Sequence, residues 1–435
     1  MTPRDNAVTF PEQPNRLPAA AAGSLLRKSP QGVVLGGSII MLLSTTLVSL
    51  LNFAYNVVMA RMLGPSRFGH VTVAVTLLML ASAVTLAFQL VCAKFVARNP
   101  AAGAKAGVYR SLRSKAWLVS LGLAGALFLA QKLIAEYLRL PDPHMLAVLA
   151  IGIAVYVPLG VRRGAMQGLC SFRRLSGSFV VEALTRFVSG VVLVVAGYGV
   201  LGAVGAISAS VLAAYLFPPL GTELNAQTEA GNPASFGEGI QAIVFFVGQV
   251  IICNIDVLLV KHFFAPDVAG LYAAVALVGR LLYFASWSVI SAMFPVSAAE
   301  AKDEGPHMTI LPLSIVGALS LTFILALSLF PHLIIHTVFG VEFHQGEPLL
   351  PLYAAATGLY SLSVVLIAYE MSRRIANTGW LQLIFSGVLV LAIGAFHHTL
   401  REVIVVQIVL MSVMLILVSF PFLRRYRQAR YQEAA

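Results

Sequence analysis

Charge is scarce in this sequence. Asp, Glu, Lys and Arg make up only 11% of its 435 residues, against roughly 25% in an average soluble domain. With 59% hydrophobic residues and a mean hydropathy of +0.87, a water-soluble fold could not clothe its surface in polar side chains. Most of the chain must therefore be solvated by lipid. Cysteine is scarce too. Cys92, Cys170 and Cys253 stand far apart with no C-x-x-C pair, which argues against a disulfide framework or a thiolate metal site. No G-x-x-x-x-G-K-[ST], G-x-S-x-G or H-E-x-x-H occurs, so the loops and helices that carry ATP-driven, serine-hydrolase and zinc-hydrolase chemistry are absent. Long loops are missing as well: apolar runs are separated by about 20 residues or fewer, which leaves little room for a catalytic domain outside the membrane.

What is present is a series of apolar runs of about 20 residues or more, without the dyad alternation of barrel strands. Because every backbone polar group in hydrocarbon needs an internal partner, these runs read as helices. The fold class expected is an all-α polytopic membrane protein of about twelve spans. They are placed at about 33–60, 69–93, 115–135, 144–161, 176–197, 199–220, 239–261, 268–294, 310–338, 349–371, 379–396 and 401–423.

Positive charge sets the orientation, because cytoplasmic loops retain Lys and Arg. One side receives Arg27 and Lys28; Lys94, Arg98, Lys105, Arg110, Arg113 and Lys115; Arg162, Arg163, Arg173 and Arg174; Arg373 and Arg374; and Arg424, Arg425, Arg427 and Arg430. The other keeps Arg61, Arg67, Lys132, Arg139, Lys261 and Arg401. Both termini are thus expected in the cytoplasm, with an even number of spans. The net charge of +11 is then mostly a topology signal. No basic segment interleaved with aromatics supports a nucleic-acid partner. Residues 1–32, polar and rich in proline, lack the apolar core of a signal peptide and read as a disordered cytoplasmic tail before an uncleaved first helix.

The polar stretch 222–238, TELNAQTEAGNPASFGE, divides the chain into halves at 33–221 and 239–423, with 424–435 left as a basic cytoplasmic tail. A local echo supports the division. The first span closes on Asn52, Tyr55, Asn56 and Arg61 and is followed by Pro65-Ser-Arg-Phe-Gly69. The seventh closes on Asn254, Asp256 and Lys261 and is followed by Pro266-Asp-Val-Ala-Gly270. Two halves with an even number of helices each should be parallel repeats about an axis along the membrane normal.

Four stretches carry a resemblance: ARMLGPSRFG at 60–69, RRGAMQGLCSFRRLSGSFVVEALTRF at 162–187, NIDVLLVKHFFAPDVAGLYAAVALVGRLLYF at 254–284 and FGVEFHQGEPLLPLYAAATGLYSL at 339–362. In this order they resemble the oligosaccharide (Wzx-type) flippases of the multidrug/oligosaccharidyl-lipid/polysaccharide (MOP) exporter superfamily. The resemblance implies a V-shaped pair of six-helix bundles around a central hydrophilic cavity in the bacterial inner membrane. It further implies alternating access that turns a polyprenyl-pyrophosphate-linked glycan from the cytoplasmic to the outer leaflet, in company with a polysaccharide polymerase and glycosyltransferases. The related lipid II flippases carry an Arg-Asp pair where this chain has Tyr55 and Asn56, which argues against that cargo.

Ionisable groups at membrane depth are expensive and so are candidates for function. Arg280, mid-way along the eighth span, could hold a pyrophosphate or acidic sugar, or pair with a carboxylate. Glu182 and Arg186, four apart on the fifth span, share a face. They form an intrahelical ion pair, or Arg186 meets substrate while Glu182 accepts a proton. Asp256 could take a coupling proton or sodium ion, or pair with Lys261 or Arg280. Arg61 and Lys261 either snorkel to the interface or receive pyrophosphate. Tyr55, Asn52, Asn56 and Gln89 could line the cavity or hold helices together. His332 with His336, and His397 with His398, lack an acidic partner at metal-site spacing. No cofactor is expected beyond a coupling ion. Two other functions fit less well: a cation-coupled multidrug efflux pump, which wants an acidic cavity, and a membrane-embedded polymerase or glycosyltransferase.

Overall fold

The computed structural model describes residues 30–219, 224, 240–299, 307–372 and 378–434. Every regular element among them is helical. The first helix, α1, spans Pro30–Arg98. At ~1.5 Å per residue its 69 residues would reach roughly 100 Å, over three times the hydrocarbon thickness. It does not run straight. Gly64 breaks it with φ 72° and ψ 172°, a conformation open to glycine, and Pro65, which has no N–H to leave unsatisfied, opens the second limb.

The next helices are α2 (Ala102–Leu129), a short α3 (Gln131–Tyr137), α4 (His144–Gly168) and α5 (Phe172–Leu193). A π turn at Val194–Tyr198, with Gly197 at φ 94°, leads into α6 (Gly199–Leu216). The second half repeats this order: α7 (Ile240–Phe263), α8 (Pro266–Ala299), α9 (His307–Leu329), a short α10 (Pro331–Val338), a 3-10 stretch Val341–Leu349, α11 (Leu350–Ser372), α12 (Thr378–Ala395) and α13 (Leu400–Ala434).

Side-chain contacts give the directions. Ser44, Asn52 and Tyr55 on the first limb of α1 meet Ser176, Arg186 and Gly190 on α5, so those two run parallel. The second limb runs parallel to α4, because a Cβ at Gly160, Gly164 or Gly168 would strike Thr85, Gln89 or Ala93 in turn. The tight turn at 169–171 makes α4 and α5 antiparallel, so the limbs of α1 double back on each other. One end of the assembly therefore carries Gly64 and the other Arg98. The glycine row on α4 is the small-residue packing that draws helix backbones together in lipid, with a Cβ at Gly164 placed 2.3 Å from the Gln89 carbonyl oxygen.

Among the described residues nine helical stretches are long and apolar enough to cross a membrane, and Trp380–Ala395 is a shorter apolar helix. Two of the nine, 40–98 and 172–216, contain the breaks at Gly64 and at the π turn and cross twice. The crossings are therefore twelve: the two limbs of α1, α2, α4, α5 and α6 in one bundle, and α7, α8, α9, α11, α12 and α13 in the other. Within the first bundle α1 packs on α4 and α5, α2 on α4, and α6 on α4 and α5; within the second α11 collects α8, α9 and α13, while α12 lies on α7. Apolar side chains such as Leu118, Leu129, Leu321, Leu391 and Ile416 point away from both bundles into what would be lipid.

The bundles meet where α1 lies against α7 and α8. The two echoed motifs touch there: a Cβ at Gly270 would fall 1.8 Å from the Pro65 carbonyl oxygen, and one at Gly69 would fall 3.0 Å from that of Pro266. Phe68 meets Phe343 edge-on at 6.3 Å on the same side. Towards the Arg98 end, Ile243 of α7 packs on the cluster of Phe88, Val91, Cys92 and Phe95.

Several expected boundaries move. The third span starts at Ala102 rather than 115 and ends at Leu129, with 131–137 a separate helix. A helix can carry Lys105, Arg110 and Lys115 where it projects past the hydrocarbon, so charge did not mark its start. The expected single span 310–338 is broken at Phe330 (φ −127°, ψ 42°), because the residue before Pro331 is pushed out of the α region. Residues 30–32 and 424–434, expected in tails, are helical. The expected tail 1–29 lies outside the described residues, as does the expected linker 222–238 apart from Leu224.

Candidate functional site

Two buried charge clusters form, one inside each bundle. In the first, α4 contributes Arg163, α5 contributes Glu182 and Arg186, and α1 contributes Asn52. The 3.6-residue period puts Glu182 and Arg186 on one face, and each oxygen of Glu182 takes one guanidinium. Arg163 Nη2 donates to Oε2 at 2.7 Å, and Arg186 Nη2 donates to Oε1. Further donors of both arginines are engaged as well. Arg163 Nε reaches Ser178 Oγ at 3.1 Å and its guanidinium lies 4.0 Å from the Phe179 ring centroid. Arg186 Nη1 donates to Asn52 Oδ1 at 3.0 Å and Nε to Ser210 Oγ at 3.3 Å. All three charged residues are over nine-tenths buried. They border a cavity of about 200 Å³ whose wall also includes Asn52, Met79 and Tyr156. Two guanidiniums face one carboxylate, so the cluster carries an excess positive charge.

In the second, α7 contributes Asp256, α8 contributes Tyr272 and Arg280, and α11 contributes Tyr353. Asp256 is 1% exposed and accepts three hydrogen bonds. The Tyr272 and Tyr353 hydroxyls both donate to Oδ2 at 2.8 Å, and Arg280 Nη2 donates to Oδ1 at 3.0 Å. Arg280 Nη1 adds a 3.3 Å bond to Asn254 Oδ1, and Gln407 Nε2 donates to the Tyr272 oxygen at 2.6 Å. Gly279 makes room for this arrangement, since a Cβ there would fall 2.2 Å from Tyr353 Cδ1. This cluster is neutral as a pair. It borders a small space of about 30 Å³ between Cys253, Arg280, Tyr283, Tyr353, Tyr360 and Gln407, room for about one water molecule.

Of the candidates named from sequence, Glu182 with Arg186 and Asp256 with Arg280 are brought together. Tyr55 is fully buried, its hydroxyl donating to the Ala203 carbonyl at 2.9 Å; it holds helices together and lines neither cavity. Asn56 donates to the Asn52 carbonyl one turn back, and Gln89 to Gln167 at 3.3 Å. Arg61 is exposed and belongs to neither cluster; its guanidinium reaches carbonyls of α10. Lys261 does not snorkel: it is 1% exposed and its Nζ lacks a hydrogen-bond partner. Hydropathy marks the end of α7 but not that α7 packs there against α1 and α8, which bring His70 and Asp267 within electrostatic reach of Lys261. His332 does find an acidic neighbour, Glu347, at 2.9 Å, because the turn at Gly340 (φ 102°) lays the 3-10 stretch back beside α10. Among the described residues no three His, Cys, Asp or Glu side chains gather as metal ligands.

Three members were missed. Arg163 reads in sequence as topological surface charge, yet it is 4% exposed. The available signal was that adjacent residues Arg162 and Arg163 point about 100° apart on a helix, so on a helix as closely packed as α4 they cannot both share its narrow outward arc. Tyr272 and Tyr353 lie inside the stretches GLYAAVALVGR and LPLYAAATGLY, but nothing local aims either hydroxyl at Asp256.

A family profile described as polysaccharide biosynthesis protein matches residues 34–299. No curated protein matches by sequence. Among solved structures, the chain is similar to the inward-facing conformation of a multidrug resistance MATE family transporter of the MOP superfamily. That match has a TM-score of 0.66 and 14% identity, covering 91% of this chain and 99% of the other. The outward-facing conformation of such a transporter matches with a TM-score of 0.59 at 16% identity, covering 95% and 99%. A MOP superfamily transporter from Pyrococcus furiosus, described as having a binding pocket of reverse polarity, matches with a TM-score of 0.55 at 15% identity, covering 94% and 98%.

Proposed function

Because the chain belongs to the polysaccharide biosynthesis protein family, we propose that it is a transporter that flips a polyprenyl-pyrophosphate-linked oligosaccharide from the cytoplasmic to the outer leaflet. It does so by alternating access of its two bundles, in a bacterial inner membrane with both termini in the cytoplasm. The observation that carries the cargo class is the charge balance at membrane depth. Arg163, Arg186 and Arg280 stand against Glu182 and Asp256, an excess of guanidinium that favours an anionic lipid-linked glycan over a cationic drug. Guanidinium forks match phosphate and carboxylate oxygens in a bidentate way. The 200 Å³ cavity beside Arg163 and Arg186 is large enough for an acidic group rather than a whole glycan, so it would hold one charged unit of the cargo. Asp256, held by two tyrosines and Arg280, is the carboxylate whose protonation would loosen α7 from α8 and α11 and so couple transport to an ion gradient.

Deleting the gene should accumulate cytoplasmic-leaflet glycolipid built by glycosyltransferases and abolish a surface polysaccharide that a downstream polymerase would assemble. An unchanged surface glycan profile in a strain without a second homologue would overturn this. The fold shared with multidrug transporters favours drug efflux as the second reading; a fall in drug tolerance with an intact glycan would select it.

A further inference from the structure

At the Gly64 end each bundle carries a short helix after its third span, α3 (Gln131–Tyr137) in the first and α10 (Pro331–Val338) in the second. The last carbonyls of a helix have no partner within it and form the negative end of its dipole. At both short helices the final carbonyl is met by a basic side chain from the other bundle. Arg61, at the end of the first limb of α1, donates from Nε to the Val338 carbonyl at 2.8 Å and from Nη2 to that of Thr337, the last two residues of α10. His262, at the end of α7, donates from Nδ1 to the carbonyl of Tyr137, the last residue of α3, at 2.7 Å. Its ring also stacks on the Tyr137 ring at 3.8 Å and 10°. The two contacts are mates under the repeat that relates the bundles. In the register set by Pro65–Gly69 and Pro266–Gly270, His262 is the counterpart of Arg61, each four residues before its proline; Lys261, one residue earlier, is buried with no hydrogen-bond partner.

From this reciprocity we propose that Arg61 and His262 are a pair of latches that hold the two bundles shut at the Gly64 end, each by capping the short helix of the opposite bundle. At the same end lie the Gly69–Gly270 crossing and the Phe68–Phe343 contact, so the latches accompany the seam that must part before a path opens there. The inference rests on the alternating-access reading but on no particular cargo.

The test uses the full chain in lipid nanodiscs, with Cys92, Cys170 and Cys253 replaced by serine and spin labels at Lys132→Cys on α3 and Leu333→Cys on α10. Both positions are exposed and touch neither latch. Pulsed dipolar spectroscopy reads the separation of the two short helices. Arg61→Met combined with His262→Phe, which keeps the aromatic stack but removes the N–H donor, should raise the ratio of long to short separations about tenfold, the equivalent of roughly 1.4 kcal/mol. Each single variant should give a partial shift, and Arg61→Lys, which keeps a cationic donor, should stay near wild type. An unchanged distribution in the folded double variant overturns the proposal, as does Arg61→Lys shifting as far as Arg61→Met. If the double variant fails to assemble, the single variants decide by the same criterion. A shift in distance with normal glycan export leaves the latch standing and removes its necessity for flipping; export lost with no shift removes the latch and leaves the transport reading intact.

Discussion

Replacing Glu182 with glutamine keeps the shape of the first cluster and removes the one negative charge shared by two guanidiniums. The site is 8% exposed at Glu182, 4% at Arg163 and 6% at Arg186, so bulk water screens these charges little. Removing one partner of a buried ion pair costs about 3–5 kcal/mol, because it strands the opposite charge. The glutamine carbonyl can still accept from one arginine, recovering roughly 1 kcal/mol. The expected loss is therefore about 2–4 kcal/mol. If charge were irrelevant and only two side-chain bonds were weakened, membrane-protein mutant cycles at ~0.6 kcal/mol per bond would give roughly 1.2 kcal/mol. Reversible unfolding in mixed micelles separates the two, and adding Arg186→Gln to Glu182→Gln supplies the control. The double variant has one cation left, held by Ser178 and Phe179, so its loss should be smaller than the sum of the single losses by about 1–3 kcal/mol. A loss of about 1.2 kcal/mol or less for Glu182→Gln, or strict additivity in the double variant, would refute the claim that the carboxylate neutralises both arginines.

Tyr353→Phe removes one of three donors to Asp256 with little change in volume and should destabilise the second bundle by about 1–2 kcal/mol, read by the same unfolding measurement; no change would mean that Tyr272 and Arg280 satisfy the carboxylate alone. Gly164→Leu places a branched side chain where even a Cβ would lie 2.3 Å from the Gln89 carbonyl. It should separate α4 from the second limb of α1 and abolish recovery of folded protein from the membrane, while Ile416→Ala on the lipid-facing side of α13 should leave recovery unchanged.

Lipid solvation, helicity and the number of spans were legible from composition and run length, because the hydrocarbon core imposes a minimum length and forbids an unpaired backbone. The repeat was legible because P-x-x-x-G recurs at the start of the second span of each half, and the Glu182–Arg186 pair because four residues on one helix is a local relation. The partners of these groups were not. Arg163 reaches Glu182 from another helix, Tyr353 reaches Asp256 from far along the chain, and Lys261 is buried by helices that its own segment does not describe. In water, polar and apolar faces would have told which way each helix turns. In lipid the outward face is as apolar as the packed one, so the sequence lays down the helices while their rotation, depth and choice of neighbour are decided only by tertiary packing.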